Sequence, residues 1–121
     1  MTTILVKYND NYQKIAMGFM SYMTDLKDLD HLQMELQLYT SDDQHQLFLY
    51  KQHGGDFIGI VAVELQEQAV MIRYLSFNPA YRMDQTLFAV FDELQEYYPN
   101  KKVMGTISLA TIVEKWQQQK N

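Results

Sequence analysis

The stretch from Ala69 to Leu94, AVMIRYLSFNPAYRMDQTLFAVFDEL, constrains this chain more than any other. An apolar run rich in aromatic and branched residues ends at Asn78-Pro79, and a short polar loop follows. Leu87, Val90, Phe91 and Leu94 then recur at helical spacing, and the helix stops before Pro99. A strand that passes through a tight loop into an amphipathic helix aims the first backbone N–H groups of that helix at one spot beside the strand end. An anionic ligand can dock there.

The same two periods organise the rest of the chain. Ile4 to Tyr8 predicts a short strand. Tyr12, Ile15, Ala16, Phe19 and Met23 predict an amphipathic helix over 10–23. Thr24 and Asp25 can cap a second helix, whose buried stripe is Leu29, Leu32 and Leu36 and whose end lies near Thr40. After the loop Ser41-Asp42-Asp43 the period changes to two. Gln46 to Lys51, Phe57 to Leu65 and Val70 to Phe77 predict an antiparallel meander, with turns at Gly54-Gly55 and Gln66 to Ala69. The central strands carry few polar positions on either face, so helices are expected on both. Gly59 inside a strand predicts a bulge or a close contact. Lys102 to Thr106 is a last short strand. Leu109, Ile112, Val113 and Trp116 mark a last helix, with Ser108 as its cap. The expected class is α/β (α+β): one domain over residues 1–121, a mixed, mostly antiparallel sheet flanked by helices.

Composition narrows the function classes. With 47% apolar and 21% charged residues, a chain of 121 residues can bury one core. The net charge of −5 argues against a nucleic-acid partner. There is no cysteine, which removes disulfides, thiol nucleophiles and cysteine-ligated metals. The N-terminal residues do not read as a signal peptide, and the longest apolar run, Phe57 to Val63, is too short to span a bilayer. A soluble cytoplasmic protein is expected. His31, His45 and His53 stand apart without ligand spacing and read as surface residues, so no metal site is expected. Met17, Met20 and Met23 read as core filler, and Lys101-Lys102 as a solvated turn. Asp25, Asp28 and Asp30 read as a charged helix start.

The order of elements, with several local segments, resembles the GNAT acyltransferases, and more closely the RibT-type acetyltransferases associated with riboflavin-biosynthesis genes. The matching segments are Tyr12 to Gly18, Lys27 to Leu29, Gln46 to Leu49, Asp56 to Glu64, and Ile72-Arg73 through Asn78-Pro79. The resemblance covers nearly the whole chain. It implies that acetyl-CoA is the acyl donor. Its pantetheine arm would meet backbone groups of Leu75, Ser76 and Phe77, and its pyrophosphate the loop Arg82-Met83-Asp84-Gln85-Thr86-Leu87. In the family that loop reads Arg/Gln-x-x-Gly-x-Gly/Ala. Here Arg82 keeps its place, while Gln85 and Leu87 stand at the small positions. Glycine there lets phosphate reach the backbone without meeting a Cβ. Asp84 at the helix start could also cap the N–H groups itself.

The family's usual glutamate base falls at about Met71 and is missing. Glu64 is the substitute candidate: if Leu65 pairs with Val70, Glu64 lies opposite Met71 and diagonal to Arg73. The bland alternative is a Glu64–Arg73 ion pair. The last helix offers no tyrosine acid. Tyr74 and Tyr81 lie nearer the expected cleft, and Tyr74 is the candidate acid, although both also fit as packing residues with one wet end. The resemblance further implies that the sheet is truncated after the last helix and ends in an open edge, which a homodimer would cover. The expected function is transfer of an acetyl group to a small amine. The alternatives are a catalytically degenerate GNAT-fold binding domain and an unrelated small α/β ligand-binding domain.

Overall fold

Among the described residues, five strands and four α-helices follow in the order read from the periodicity. The computed structural model describes residues 3–23, 26–52 and 55–120. In chain order the elements are β1 (Thr3–Lys7), α1 (Gln13–Met20), α2 (Leu29–Ser41), β2 (His45–Gln52), β3 (Phe57–Leu65), β4 (Ala69–Phe77), α3 (Asp84–Tyr97), β5 (Lys102–Gly105) and α4 (Ala110–Gln119). The strands form one sheet in sequence order, β1-β2-β3-β4-β5. The first three pairings are antiparallel. β4 and β5 are parallel, and α3 is the crossover that a parallel pair requires.

Period-two alternation explains the continuous apolar runs. In β2, Leu47 and Leu49 face α1 and α2, while Phe48 and Tyr50 face α3 and α4. One core holds Ile60, Ala62, Ala16, Met20, Leu26, Leu32, Leu36 and Tyr39, with Met17 and Met23 packed against it. The other holds Val61, Val63, Val70, Ile72, Phe77, Val90, Phe91, Leu94, Val113 and Trp116. Trp116 anchors α4: its ring lies 5.5 Å from Phe91 and its indole N–H donates to Asp92 Oδ1 at 3.0 Å.

Several local expectations are corrected. Residues 10–12 form a 3-10 turn, because Asn9 Oδ1 accepts the Asn11 N–H at 2.9 Å and starts a tighter coil; the α-helix covers only Gln13–Met20 and leaves Ile15 exposed. Thr24 and Asp25 lie outside the described residues, and Asp28 caps α2 by accepting the Asp30 N–H at 3.0 Å. Leu29 is therefore the first helical residue and is 57% exposed; the buried stripe runs through Leu32, Leu36 and Tyr39. Ser108 does not cap α4. Leu109 takes that position without a side-chain bond, inside a turn closed by Leu109 N–H on Thr106 O at 2.8 Å. Lys101 is not a free solvated residue: its ammonium donates to the carbonyls of Gln66 and Glu67, tying the β3–β4 turn to the start of β5. His53 and Gly54 lie outside the described residues.

Two irregularities shape the sheet. Tyr50 pairs with Gly59 but Lys51 with Phe57, so Ile58 is an extra residue. A Cβ on Gly59 would also fall 2.5 Å from ring carbons of Phe77, so both the bulge and the close contact are present. On the next strand Ala62 pairs with Tyr74 but Val63 with Ile72, which leaves Arg73 as the extra residue. β4–β5 pairing ends beside it, at Ile72 with Gly105 and a last bond from Thr106 N–H to Ile72 O at 3.1 Å. A bulge bends and twists its strand. Here it coincides with the point where β4 parts from β5. The outer edge of β1 is partly closed by Glu93, whose Oε1 accepts the Leu5 N–H at 3.1 Å. The outer edge of β5 has no strand beside it among the described residues. No described helix is long and apolar enough to cross a membrane.

Candidate active site at the β4–β5 fork

The fork holds a cavity of about 360 Å³ lined by Tyr22, Met23, Leu75, Ser76, Phe77, Arg82, Leu87 and Leu109. Hydrogen-bond alternation determines what β4 offers to it. Asn78 N–H donates to Ile58 O at 2.8 Å, so Asn78 and Ser76 turn their backbone groups toward β3. Leu75 and Phe77 turn theirs the other way, into the fork, where no strand meets them. Ser76 contributes differently: its hydroxyl donates to Phe19 O at 2.6 Å and fastens the end of α1 to β4.

The loop beyond β4 is compact. Asn78 Oδ1 accepts the Ala80 N–H at 3.0 Å and starts a 3-10 turn over Pro79–Tyr81. Arg82 then folds back: its Nε donates to Phe77 O at 2.8 Å, and its guanidinium lies 5.6 Å from the centre of the Tyr22 ring. The cation is thereby held in the lining of the cavity. Met83 is the N-cap residue of α3 and makes no side-chain cap. The first intrahelical bond is Leu87 N–H to Met83 O at 3.1 Å, so the N–H groups of Asp84, Gln85 and Thr86 precede the ladder and keep the positive end of the helix available.

Asp84 does not cap the helix. Its carboxylate is engaged by Lys115 of α4 at 2.7 Å, which offsets its charge at the helix start. Gln85 is exposed. Leu87 is half-buried and forms cavity wall rather than filling the cavity. The opposite wall packs against Gly105: a Cβ there would lie 3.0 Å from the Leu109 backbone, so any larger residue would push the 106–109 turn back by a few tenths of an ångström from the end of β5. This contact has no periodic signature in the sequence.

Glu64, Arg73 and Tyr74 lie on the face of the sheet that α1 and α2 cover, outside the lining of this cavity. Glu64 lies opposite Met71, as the Leu65–Val70 pairing requires. Among the described residues it makes no ion pair with Arg73; its nearest basic partner is His45, with Nε2 at 3.7 Å from Oε1. Arg73, the bulge residue, stacks between Tyr39 and Tyr74, with its guanidinium 5.9 and 5.6 Å from the two ring centres. Tyr74 thus sits beside a cation, with its ring edge-on to Tyr39 at 6.5 Å. Tyr39 is buried, its hydroxyl has no hydrogen-bond partner, and burial pushes its ionisation well above the ordinary tyrosine range. His45 is not a surface residue: its side chain is 13% exposed. Among the described residues no group of three His, Cys, Asp or Glu side chains could hold a metal ion.

No family model matches the chain. An uncharacterised N-acetyltransferase of the lysA 3′ region in Bacillus methanolicus is 34% identical over 113 residues, which cover 93% of each chain. Solved structures share the fold. The aminoglycoside 6′-N-acetyltransferase AAC(6′)-Ih of Acinetobacter baumannii superposes with a TM-score of 0.69 at 8% identity, over 98% of this chain and 88% of that one. The spermidine N-acetyltransferase of Vibrio cholerae, in complex with CoA and spermine, gives 0.65 at 10% identity, over 96% and 78%. A sheet forked beside a bulge, an uncapped helix start at the fork, and a full-length relative at this identity together place the chain in one family. It belongs to the GNAT N-acetyltransferases.

Proposed function

We propose that this protein transfers an acetyl group from acetyl-CoA to a small primary amine, with RibT-type specificity. One observation carries the reading: the cavity between β4 and the 106–109 turn is lined by Arg82 and by Leu87 in the first turn of α3, whose start has no side-chain cap. Arg82 and the N–H groups of Asp84, Gln85 and Thr86 would hold the pyrophosphate, with Met83 and Leu87 flanking them. Backbone groups of Leu75 and Phe77 would pair with the pantetheine arm, and Ser76 would keep the strand and α1 in register. The solved relative with CoA and spermine supports the donor and the amine class. The RibT assignment rests on the segment resemblances of the sequence.

In this reading Glu64 accepts the proton of the acceptor amine, directly or through water. Tyr74 gives a proton to the departing thiolate. Positioning supplies much of the rate. A homodimer covering the open edge of β5 and a cytoplasmic setting complete the proposal; a monomeric mass by analytical ultracentrifugation would remove the first.

Titration calorimetry with acetyl-CoA tests it. Micromolar binding is expected, corresponding to about −8 kcal/mol, with at least a tenfold loss in Arg82→Glu. Because the chain has no cysteine, a thiol reagent reports released CoA without background from the protein. Absence of binding by the natural chain refutes the reading. Leu87 in the cavity wall favours one second reading, a degenerate binding domain. That reading predicts no thiol release, and tighter binding when Gln85 and Leu87 are both changed to glycine.

A further inference from the structure

We propose that Asp42, His45 and Glu64 form a relay that orients Glu64 toward the acceptor and passes its proton to solvent. The proposal rests on the acetyl-transfer reading and assigns His45 as a positioning residue. No local pattern encodes it: Asp42 and His45 lie about twenty positions from Glu64, and strand register brings them together.

His45 opens β2 directly opposite Glu64, Glu64 lies opposite Met71, and Met71 opposite Met104. These residues make one row across the sheet, on the face covered by α1 and α2. The row ends at the fork, where Met71 and Gly105 to Ser108 line a second cavity. α2 stops at Ser41, so it covers the His45 end of the row and leaves the Met71 end open, with Ile107 at its rim 97% exposed. Glu64 sits between the covered end and the open one.

The loop after α2 fixes the first member. Asp42 Oδ1 accepts the Gln44 N–H at 2.8 Å, while Oδ2 meets His45 Nδ1 at 3.1 Å. Both carboxylate oxygens are thus engaged. The Gln44 N–H, more than His45, holds the Asp42 carboxyl below its usual range against an opposing desolvation. An ionised Asp42 places the ring proton on Nδ1 and leaves the Nε2 lone pair toward Glu64 Oε1 at 3.7 Å. That separation is longer than a hydrogen bond; once Glu64 carries the acceptor's proton, a turn of its half-exposed side chain brings that O–H onto Nε2. The other groups around the imidazole are few. Tyr39 of α2 meets it edge-on at 5.4 Å, with Glu35 one turn earlier, and from β4 Arg73 and Tyr74 reach it only across the Tyr39 ring.

The protons balance. An acceptor arriving as an ammonium loses one proton to Glu64; its nitrogen then bonds to the acetyl carbon, the C–S bond breaks, and the thiolate takes a proton from Tyr74, which the nitrogen's second proton replaces. One proton remains for solvent. It moves from Glu64 to Nε2 while the Nδ1 proton leaves through half-exposed Asp42, and exchange with solvent returns the ring to its Nδ1–H form.

Nitrogen-detected NMR of the histidine rings tests the geometry without any acceptor. The expected result is an Nδ1–H tautomer for His45 that changes in Asp42→Asn, and a His45 ring signal that moves in Glu64→Gln. An Nε2–H tautomer in the natural chain, or a ring signal indifferent to Glu64→Gln, overturns the relay. The activity arm uses butylamine as acceptor. His45→Gln should lower kcat by about tenfold or more, change the pH profile of kcat, and leave acetyl-CoA affinity unchanged. Unchanged kcat and pH profile in a folded His45→Gln protein overturn the relay too. Failure of acetyl-CoA to bind at all instead overturns the underlying acetyl-transfer reading.

Discussion

Gly59→Ala joins the sheet geometry to the cavity in one substitution. Gly59 and Phe77 face each other at a non-hydrogen-bonded position, because the bonded pair is Ile58 with Asn78. Such pairs bring their side chains closest. The Phe77 ring lies over the glycine, and a Cβ there would meet Cγ and Cδ2 at 2.5 Å and Cδ1 at 2.8 Å. The clash is with the root of the ring, so a small rotation cannot relieve it. Restoring an ordinary carbon contact of about 3.5 Å requires the ring to move by about 1 Å. Phe77 is 2% exposed and packs on Tyr50 at 5.9 Å, so there is little room for that.

Overpacking of this kind costs about 1–3 kcal/mol, and the entropy that alanine saves in the unfolded chain returns at most about 1 kcal/mol. A net loss of about 1–2 kcal/mol lowers Tm by about 4–8 °C in a domain of this size. Phe77 also lines the cavity and its carbonyl anchors Arg82, so acetyl-CoA binding should weaken by about fivefold or more. Thermal and urea unfolding read the first effect and calorimetry the second. Gly18→Ala is the control: nothing lies within 4 Å of its Cβ and it sits inside α1, so it should stabilise by about 0.5–1 kcal/mol. A Gly59→Ala protein that melts within a degree of the natural chain and binds acetyl-CoA equally well would refute the reasoning.

Ser76→Ala removes the hydroxyl that donates to Phe19 O. Phe19 O still accepts the Tyr22 N–H at 3.2 Å, so the expected cost is only about 1 kcal/mol, with faster amide exchange confined to the end of α1. Lys115→Met should leave Tm within about 2 °C, since an exposed ion pair contributes little. It should weaken acetyl-CoA binding about three- to tenfold, because the Asp84 carboxylate then faces the helix start unopposed. Calorimetry at low and high salt checks this, and the difference should shrink as salt screens it.

Periodicity made the sheet and the helical faces legible because burial on two faces imposes two periods. Phe57–Leu65 and the Leu87–Val90–Phe91–Leu94 stripe were readable to the residue for that reason. Caps were less legible. Asp28, Thr24 and Asp25 are all competent caps, and only the packing of Leu32 and Leu36 decides which one starts α2. The environment of Asp84 was misjudged because its partner, Lys115, is 31 positions away, a tertiary pairing that no local pattern encodes. The Glu64–Arg73 alternative failed for a related reason. A diagonal pair assumes regular pleating, and Arg73 occupies a bulge that turns it onto the rings of Tyr39 and Tyr74.

The fork itself arises from two local features acting together. A parallel pair lengthens as long as both strands stay in register, and nothing in the apolar run of β4 tells it to stop at Ile72. The bulge at Arg73 turns β4 away. On the other side the 106–109 turn closes tightly on Gly105, and Leu109 lines the cavity just past the end of β5. Either feature alone would leave one strand straight and able to pair. Filling the bulge by deleting Arg73 should therefore extend β4–β5 pairing beyond Ile72, protect the Leu75 or Phe77 amide from exchange, and abolish acetyl-CoA binding while the protein still folds. A deletion variant that keeps those amides unprotected and still binds would show that the fork is held open by the 106–109 turn alone.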